Sequence, residues 1–181
     1  MKKQLLFKIL TVGDGYVGKT TLLRRYVEGL FYEAHNITIG VDFFLKQLIF
    51  DSFEISLQLW DFGGQEQFRF ILKKYIGGAA GALLLCDLSD PSTIDSVEEW
   101  VNLVRSNDNN LPIILVGTKL DLVNLDSIDD EIAFNNMVKF RMSAYIKISS
   151  KTGTNIDDLF NLLVKQILRR NKSKLMSNIS I

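Results

Sequence analysis

The segment GDGYVGKT, residues 13–20, narrows the possible folds of this chain more than any other feature. It follows the apolar run LLFKILTV and precedes TLLRRYVEGL, so a glycine-rich turn joins an expected buried strand to an expected helix. Gly13, Gly18, Lys19 and Thr20 satisfy G-x-x-x-x-G-K-[ST], the pattern of a phosphate-binding loop. Glycines let the backbone curl with its N–H groups pointing inward, forming a concave nest that side chains would crowd. The N-terminus of the following helix adds partial positive charge. Lys19 is expected to bridge outer phosphates as a point charge, and the Thr20 hydroxyl to offer a hard oxygen to Mg2+. Residues Gly13, Asp14, Gly15, Tyr16, Val17, Gly18, Lys19, Thr20 and Thr21 therefore form one candidate site for a nucleoside triphosphate.

The pattern of runs extends this start into a fold. Leu5 to Val12, Ala82 to Asp87, Ile113 to Gly117 and Ala144 to Ile148 read as buried strands. Helical spacing fills Thr20 to Gly29, Ser92 to Arg105 and Asn155 to Arg170. Alternation of this kind implies an α/β fold with a mostly parallel sheet and helices on both faces. Val41 to Phe50 and Phe53 to Trp60, separated by Asp51-Ser52, predict an antiparallel hairpin at the sheet's edge. The expected whole is a six-stranded mixed sheet flanked by about five helices, the fold of P-loop NTPases. One domain over residues 1–172 is expected, with 173–181 as a short flexible tail.

Composition excludes several other classes. Lys plus Arg equal Asp plus Glu at 21 each, so bulk charge gives no basis for nucleic-acid binding. The single cysteine, Cys86, sits inside the apolar run GALLLC, which fits a core residue of a cytoplasmic protein and rules out a disulfide framework. Ile76 to Leu85 is too short to span a bilayer, and the segment LMSNISI has no cysteine for a lipid anchor. Lys165, Arg169, Arg170, Lys172 and Lys174 form one basic stretch, read either as a solvated helix end or as a weak contact with anionic membrane.

Three later segments bear on which nucleotide is held. LQLWDFGGQEQF places Asp61 at a strand end, where its carboxylate can reach a Mg2+ shell, and follows it with Gly64 and Gln65. GTKLD places Lys119 and Asp121, and ISSKTG places Ser149, Ser150 and Lys151, at the ends of two further strands, the edge where open α/β sheets take ligands. An acidic side chain such as Asp121 can accept two N–H bonds from guanine, whereas adenine offers an acceptor at that edge.

With these motifs in this order, the chain resembles the Ras superfamily of small GTPases, the Rab branch above all, over roughly Leu5 to Arg170. GTKLD, with Thr118 where Ras and Rab proteins mostly have Asn, is similar to the Rho branch. The resemblance implies that Phe31 packs on guanine and that Thr38 binds Mg2+ and the γ-phosphate, alongside Thr20 and Asp61 as metal ligands. It implies Gln65 and Lys19 as catalytic residues, and hydrolysis of GTP to GDP that is slow until a partner donates an arginine. Effectors would read residues 31–45 and 62–75, and activating and exchange proteins are implied with them. Phe43, Trp60 and Tyr75 match an aromatic triad of partner recognition, although each is also a candidate for core packing. Departures include Gly63, where Rab proteins usually have Ala, and His35, where a tyrosine often closes over the nucleotide. The alternatives are a GTP/GDP-binding scaffold without useful hydrolysis and, further off, a P-loop ATPase or small-molecule kinase.

Overall fold

The computed structural model describes residues 2–32, 38, 40–65, 69–124 and 130–177. Six strands form one sheet in the order β2-β3-β1-β4-β5-β6. They are β1 (Lys3–Val12), β2 (Val41–Phe50), β3 (Phe53–Phe62), β4 (Ala79–Asp87), β5 (Ile113–Thr118) and β6 (Ala144–Lys147). Only β2 and β3 pair antiparallel; β1 runs parallel to β3 and β4, and β5 parallel to β4 and β6. The expected mixed sheet with its edge hairpin is thus present. Because β3 is parallel to β1, the C-terminal ends of five strands share one edge of the sheet.

Successive side chains of a strand point to opposite faces, and β4 shows what that requires of a central strand. Leu83 and Leu85 enter one core with Ile9, Leu57 and Ile114, covered by Leu22 and Leu23 of α1 (Lys19–Glu28) and by Leu159, Phe160 and Leu163 of α5 (Ile156–Ser177). Leu84 and Cys86 enter the other with Leu10, Ile113 and Leu115. That face is covered by Leu72 of α2 (Arg69–Tyr75), by Trp100, Val101 and Val104 of α3 (Val97–Val104), and by Ala133 of α4 (Glu131–Lys139). A strand apolar on every residue is stable only when both faces are covered.

The helices depart from the sequence reading in instructive ways. Ser92 to Arg105 is not one helix: Asp90 accepts from the Ser92 N–H and hydroxyl, Pro91–Ile94 forms a 3-10 turn, and α3 begins at Val97. Serines, threonines and aspartates bond their own backbone and so favour such turns over helix interior. Two short helices, α2 and α4, carry weak signals. In α4 only Ala133 is fully buried and two asparagines lower helix propensity, so no clear apolar stripe marks it. At the other extreme α5 runs on to Ser177, past Arg170, where the helical spacing is expected to end. Arg170 of this helix pairs with Asp108 at 2.6 Å, which removes one cation from the basic stretch. No helix among the described residues is long and apolar enough to cross a membrane.

Burial, and next the neighbouring Asp87 charge, push the Cys86 thiol up to about 12. A raised value means less thiolate at a given pH, and thiolate is the reactive form. At pH 8 the folded protein is therefore expected to resist a thiol-specific reagent, with modification following the rate of global opening; rapid stoichiometric labelling without denaturant contradicts this packing.

Candidate nucleotide site

The loop between β1 and α1 is built on left-handed backbone. Gly13, Tyr16 and Gly18 have φ of 134°, 64° and 91°. A Cβ at Gly13 would sit 2.3 Å from the Leu85 carbonyl oxygen of β4, so this turn passes against a neighbouring strand that cannot yield. At Gly15 nothing lies within 4 Å of the corresponding position. Tyr16 accepts its conformation without being glycine, which for an L-residue costs roughly 1–2 kcal/mol. Val17 is fully buried and anchors the loop in the core.

Lys19 turns back over this loop. Its buried ammonium donates to the Gly13 carbonyl at 2.9 Å and the Asp14 carbonyl at 2.6 Å. The Asp14 carboxylate accepts from the Trp100 indole N–H at 2.8 Å, tying the loop to α3. Gly64, beyond β3, closes the far side: a Cβ there would lie 2.3 Å from the Asp14 backbone and 2.5 Å from Lys19 Nζ. The backbone N–H of Gly63 donates to the Gly40 carbonyl at 3.0 Å, joining the segment after β3 to the segment before β2. Gln65 follows, half-buried, and does not line the cavity described below.

Antiparallel pairing of Asp42 with Asp61 brings the residues before β2 to the same sheet edge. There Thr20 donates to Asp61 Oδ2 at 2.5 Å, and Thr38 Oγ1 lies 2.7 Å from Thr20 Oγ1 and 3.4 Å from Asp61 Oδ2. The Asp61 side chain is fully buried, and its Oδ1 has no hydrogen-bond partner. Burial raises its pKa, opposed chiefly by the Thr20 hydrogen bond and the Lys19 charge. Two hydroxyls and a carboxylate with a spare oxygen are a hard donor set suited to a small divalent cation. No cluster of three His, Cys, Asp or Glu placed to hold a metal ion exists among the described residues.

A cavity of about 500 Å³ runs from this end to the other loops. Gly15, Tyr16, Gly18, Lys19, Thr20 and Thr21 line one part, and Phe31, Tyr32, Thr38 and Gly64 line the flank. Thr118, Lys119, Asp121, Leu122, Ser150 and Lys151 line the far part. The Thr118 hydroxyl lies 2.7 Å from the Val17 carbonyl and 3.0 Å from the Cys86 carbonyl, so it ties β5 to the loop and to β4. Ser149 donates to Asp121 Oδ1 at 2.5 Å, and Lys119, itself left-handed with φ 58°, pairs with the buried Asp87 at 2.5 Å. Gly13, Asp14, Val17, Asp61 and Ser149 stand behind the lining and support it. His35 lies outside the described residues.

Asp87, Trp100, Tyr32 and Leu122 belong to the site or its support and were not foreseen. Asp87 had a signal, since it is the charged residue that ends an apolar strand at the ligand-bearing edge. Trp100 had none, because its partner Asp14 is 86 residues away. Phe43, Trp60 and Tyr75 do gather in one cluster. Trp60 lies 6.1 Å from Phe43 and 5.3 Å from Tyr75, ring to ring; Phe43 is 61% exposed and Tyr75 39%. Lys8 sits 4.3 Å over the half-buried Trp60 ring.

A glycine loop on the edge of a parallel sheet, a lysine folded over it and a hydroxyl–carboxylate cluster beside it define a P-loop nucleotide-binding domain. The Ras family profile matches residues 8–169, and the chain belongs to that family as a Rab-like small GTPase. Ras-related protein Rab-19 of Rattus norvegicus is 36% identical over 167 residues, 92% of this chain and 77% of the relative. Ras-related protein Rab-1D of Dictyostelium discoideum is 38% identical over 165 residues, 91% of this chain and 80% of the relative. GTP-binding protein ypt3 of Schizosaccharomyces pombe is 35% identical over 165 residues, covering 91% and 77%.

The two glycines of the loop predict opposite outcomes. Gly13→Ala should lower stability by at least about 2 kcal/mol, since the methyl group meets a strand carbonyl and the backbone is left-handed. Gly15→Ala should stay within about 0.5 kcal/mol. Urea unfolding midpoints of the two variants provide the comparison, and equal losses would contradict the loop geometry.

Proposed function

We propose that the chain is a switch that binds GTP and GDP with Mg2+ and slowly hydrolyses GTP, in regulation of the membrane-trafficking or signalling type. The observation that carries this is the single cavity joining the glycine loop to Asp121, because it offers a phosphate cradle and an acidic hydrogen-bond acceptor at opposite ends. Loop N–H groups and Lys19 take the phosphates. Asp121, oriented by Ser149, accepts from the N1–H and 2-amino group of guanine, while Phe31 and the Lys119 stem flank the ring. Thr118, Ser150 and Lys151 complete that end.

Thr20, Thr38 and Asp61 would hold the Mg2+, which supplies charge neutralisation at the outer phosphates. Lys19 and the loop N–H groups stabilise the charge spreading onto the γ-phosphate oxygens. Gln65 orients the attacking water. No arginine lies among the described residues lining the cavity, in keeping with acceleration by a partner's arginine. Thr38 and Gly64 both face the outer phosphate and belong to segments bonded to one another through Gly40 and Gly63. Loss of that phosphate releases both together, so effectors reading residues 31–45 and 62–75 distinguish the two states. The exposed Phe43 and Tyr75 lie within those segments and flank the half-buried Trp60, a cluster that suits partner recognition.

Mass spectrometry of nucleotide released from the purified protein tests the base assignment: GDP or GTP is expected, and adenine nucleotide overturns it. Asp121→Ala should erase most of the preference for GTP over ATP in competition binding while leaving the fold intact; an unchanged preference contradicts the pairing. Gly64→Ala and Gln65→Leu should each retain GDP yet slow phosphate release by on the order of 10²-fold. If neither variant alters release, hydrolysis does not proceed at this site.

A further inference from the structure

Tyr16 is the outlier of the phosphate loop. A bulky side chain at φ 64° is rare, and such strain persists where surrounding structure or function holds it. Within the protein nothing compensates through burial, since Tyr16 is 67% exposed, the most exposed of the aromatic residues lining the cavity. A glycine would adopt the same backbone freely, as Gly13 and Gly18 do in the same turn. The strain thus serves something outside the folded chain's own packing.

Position points to what it serves. The backbone of Tyr16 belongs to the nest that faces phosphates, so its ring is rooted at the phosphate end of the cavity and not at the end formed by Asp121 and Lys151. Phe31 and Tyr32, from the connection between α1 and β2, line the flank of the same cavity. Three aromatic residues from two segments therefore line the one cavity, and of these Tyr16 alone belongs to the phosphate loop. Arg24 stands 6.0 Å over the Tyr32 ring, which ties that flank to α1. Among the described residues no cation or second ring packs on the Tyr16 ring.

We propose that the Tyr16 ring is a lid over the phosphates of the bound guanine nucleotide, setting how slowly the nucleotide leaves. The proposal rests on the guanine-nucleotide reading of the cavity and adds to it a residue that governs retention. The ring excludes water from the phosphate nest, where charge-assisted hydrogen bonds gain strength, and must swing aside before the nucleotide departs. Its backbone N–H cradles phosphate in any variant; only the side chain makes the lid.

Displacement of fluorescent GDP by excess unlabelled GDP, followed by stopped flow in Mg2+ buffer, tests this. Tyr16→Ala and Tyr16→Gly should release the probe about tenfold faster than the wild-type protein and at rates close to each other, because both lose the ring. Tyr16→Phe should restore slow release, since the hydroxyl is not required. If only Tyr16→Gly is fast, backbone freedom sets the rate and the lid is overturned. A fast Tyr16→Phe, or four equal rates, overturns it as well. A wild-type protein that fails to hold labelled GDP overturns the guanine reading and the lid with it, whereas retention with equal rates overturns the lid alone.

Discussion

The turn of the backbone at Gly13 is the constraint on which the site depends. Its left-handed φ and its approach to the Leu85 carbonyl lock the start of the loop against β4. From that fixed point the Gly13 and Asp14 carbonyls are presented to Lys19, and the Asp14 backbone to Gly64. A lysine that is buried must find acceptors, and it finds them on two carbonyls of the loop itself. The sheet edge then does the rest. Parallel pairing delivers the ends of β1, β3, β4 and β5 to one side, and a single antiparallel hairpin adds Thr38 to the same place.

A capacity to switch depends on which of these residues sit on regular elements and which do not. Thr20 is rigid on the first turn of α1 and Asp61 is buried at the end of β3. Thr38 and Gly64, in contrast, lie outside regular elements; among the described residues Gly63 bonds Gly40, and Thr38 bonds Thr20. A ligand that bonds both can order them, and cleavage of one phosphoanhydride bond can release them.

Much of this was legible in the sequence because its signals are local. The glycine loop, the β4 run GALLLC and the β2–β3 hairpin each declare themselves within about ten residues. The placement of Asp61, Thr118 and Ser149 was equally readable, since each lies at or just after the end of a strand that must finish at the ligand-bearing edge. What failed was either weakly patterned or remote. Helix α4 buries one alanine fully and so leaves little periodicity, and the break before α3 comes from side chains that bond their own backbone. Trp100 with Asp14 and Asp87 with Lys119 are partnerships across the fold that spacing alone does not reveal. The conformation of Tyr16 was likewise invisible, because a motif that leaves a position free says nothing of its φ.

The central claim is that the outer phosphate of a guanine nucleotide holds two segments in place. Hydrogen–deuterium exchange of the protein loaded with GDP or with a non-hydrolysable GTP analogue, both with Mg2+, tests it directly. The account predicts greater protection with the analogue across residues 31–45 and 62–75 together, and little change in β5 or α5. Indistinguishable exchange of those two segments in the two loaded forms would contradict it.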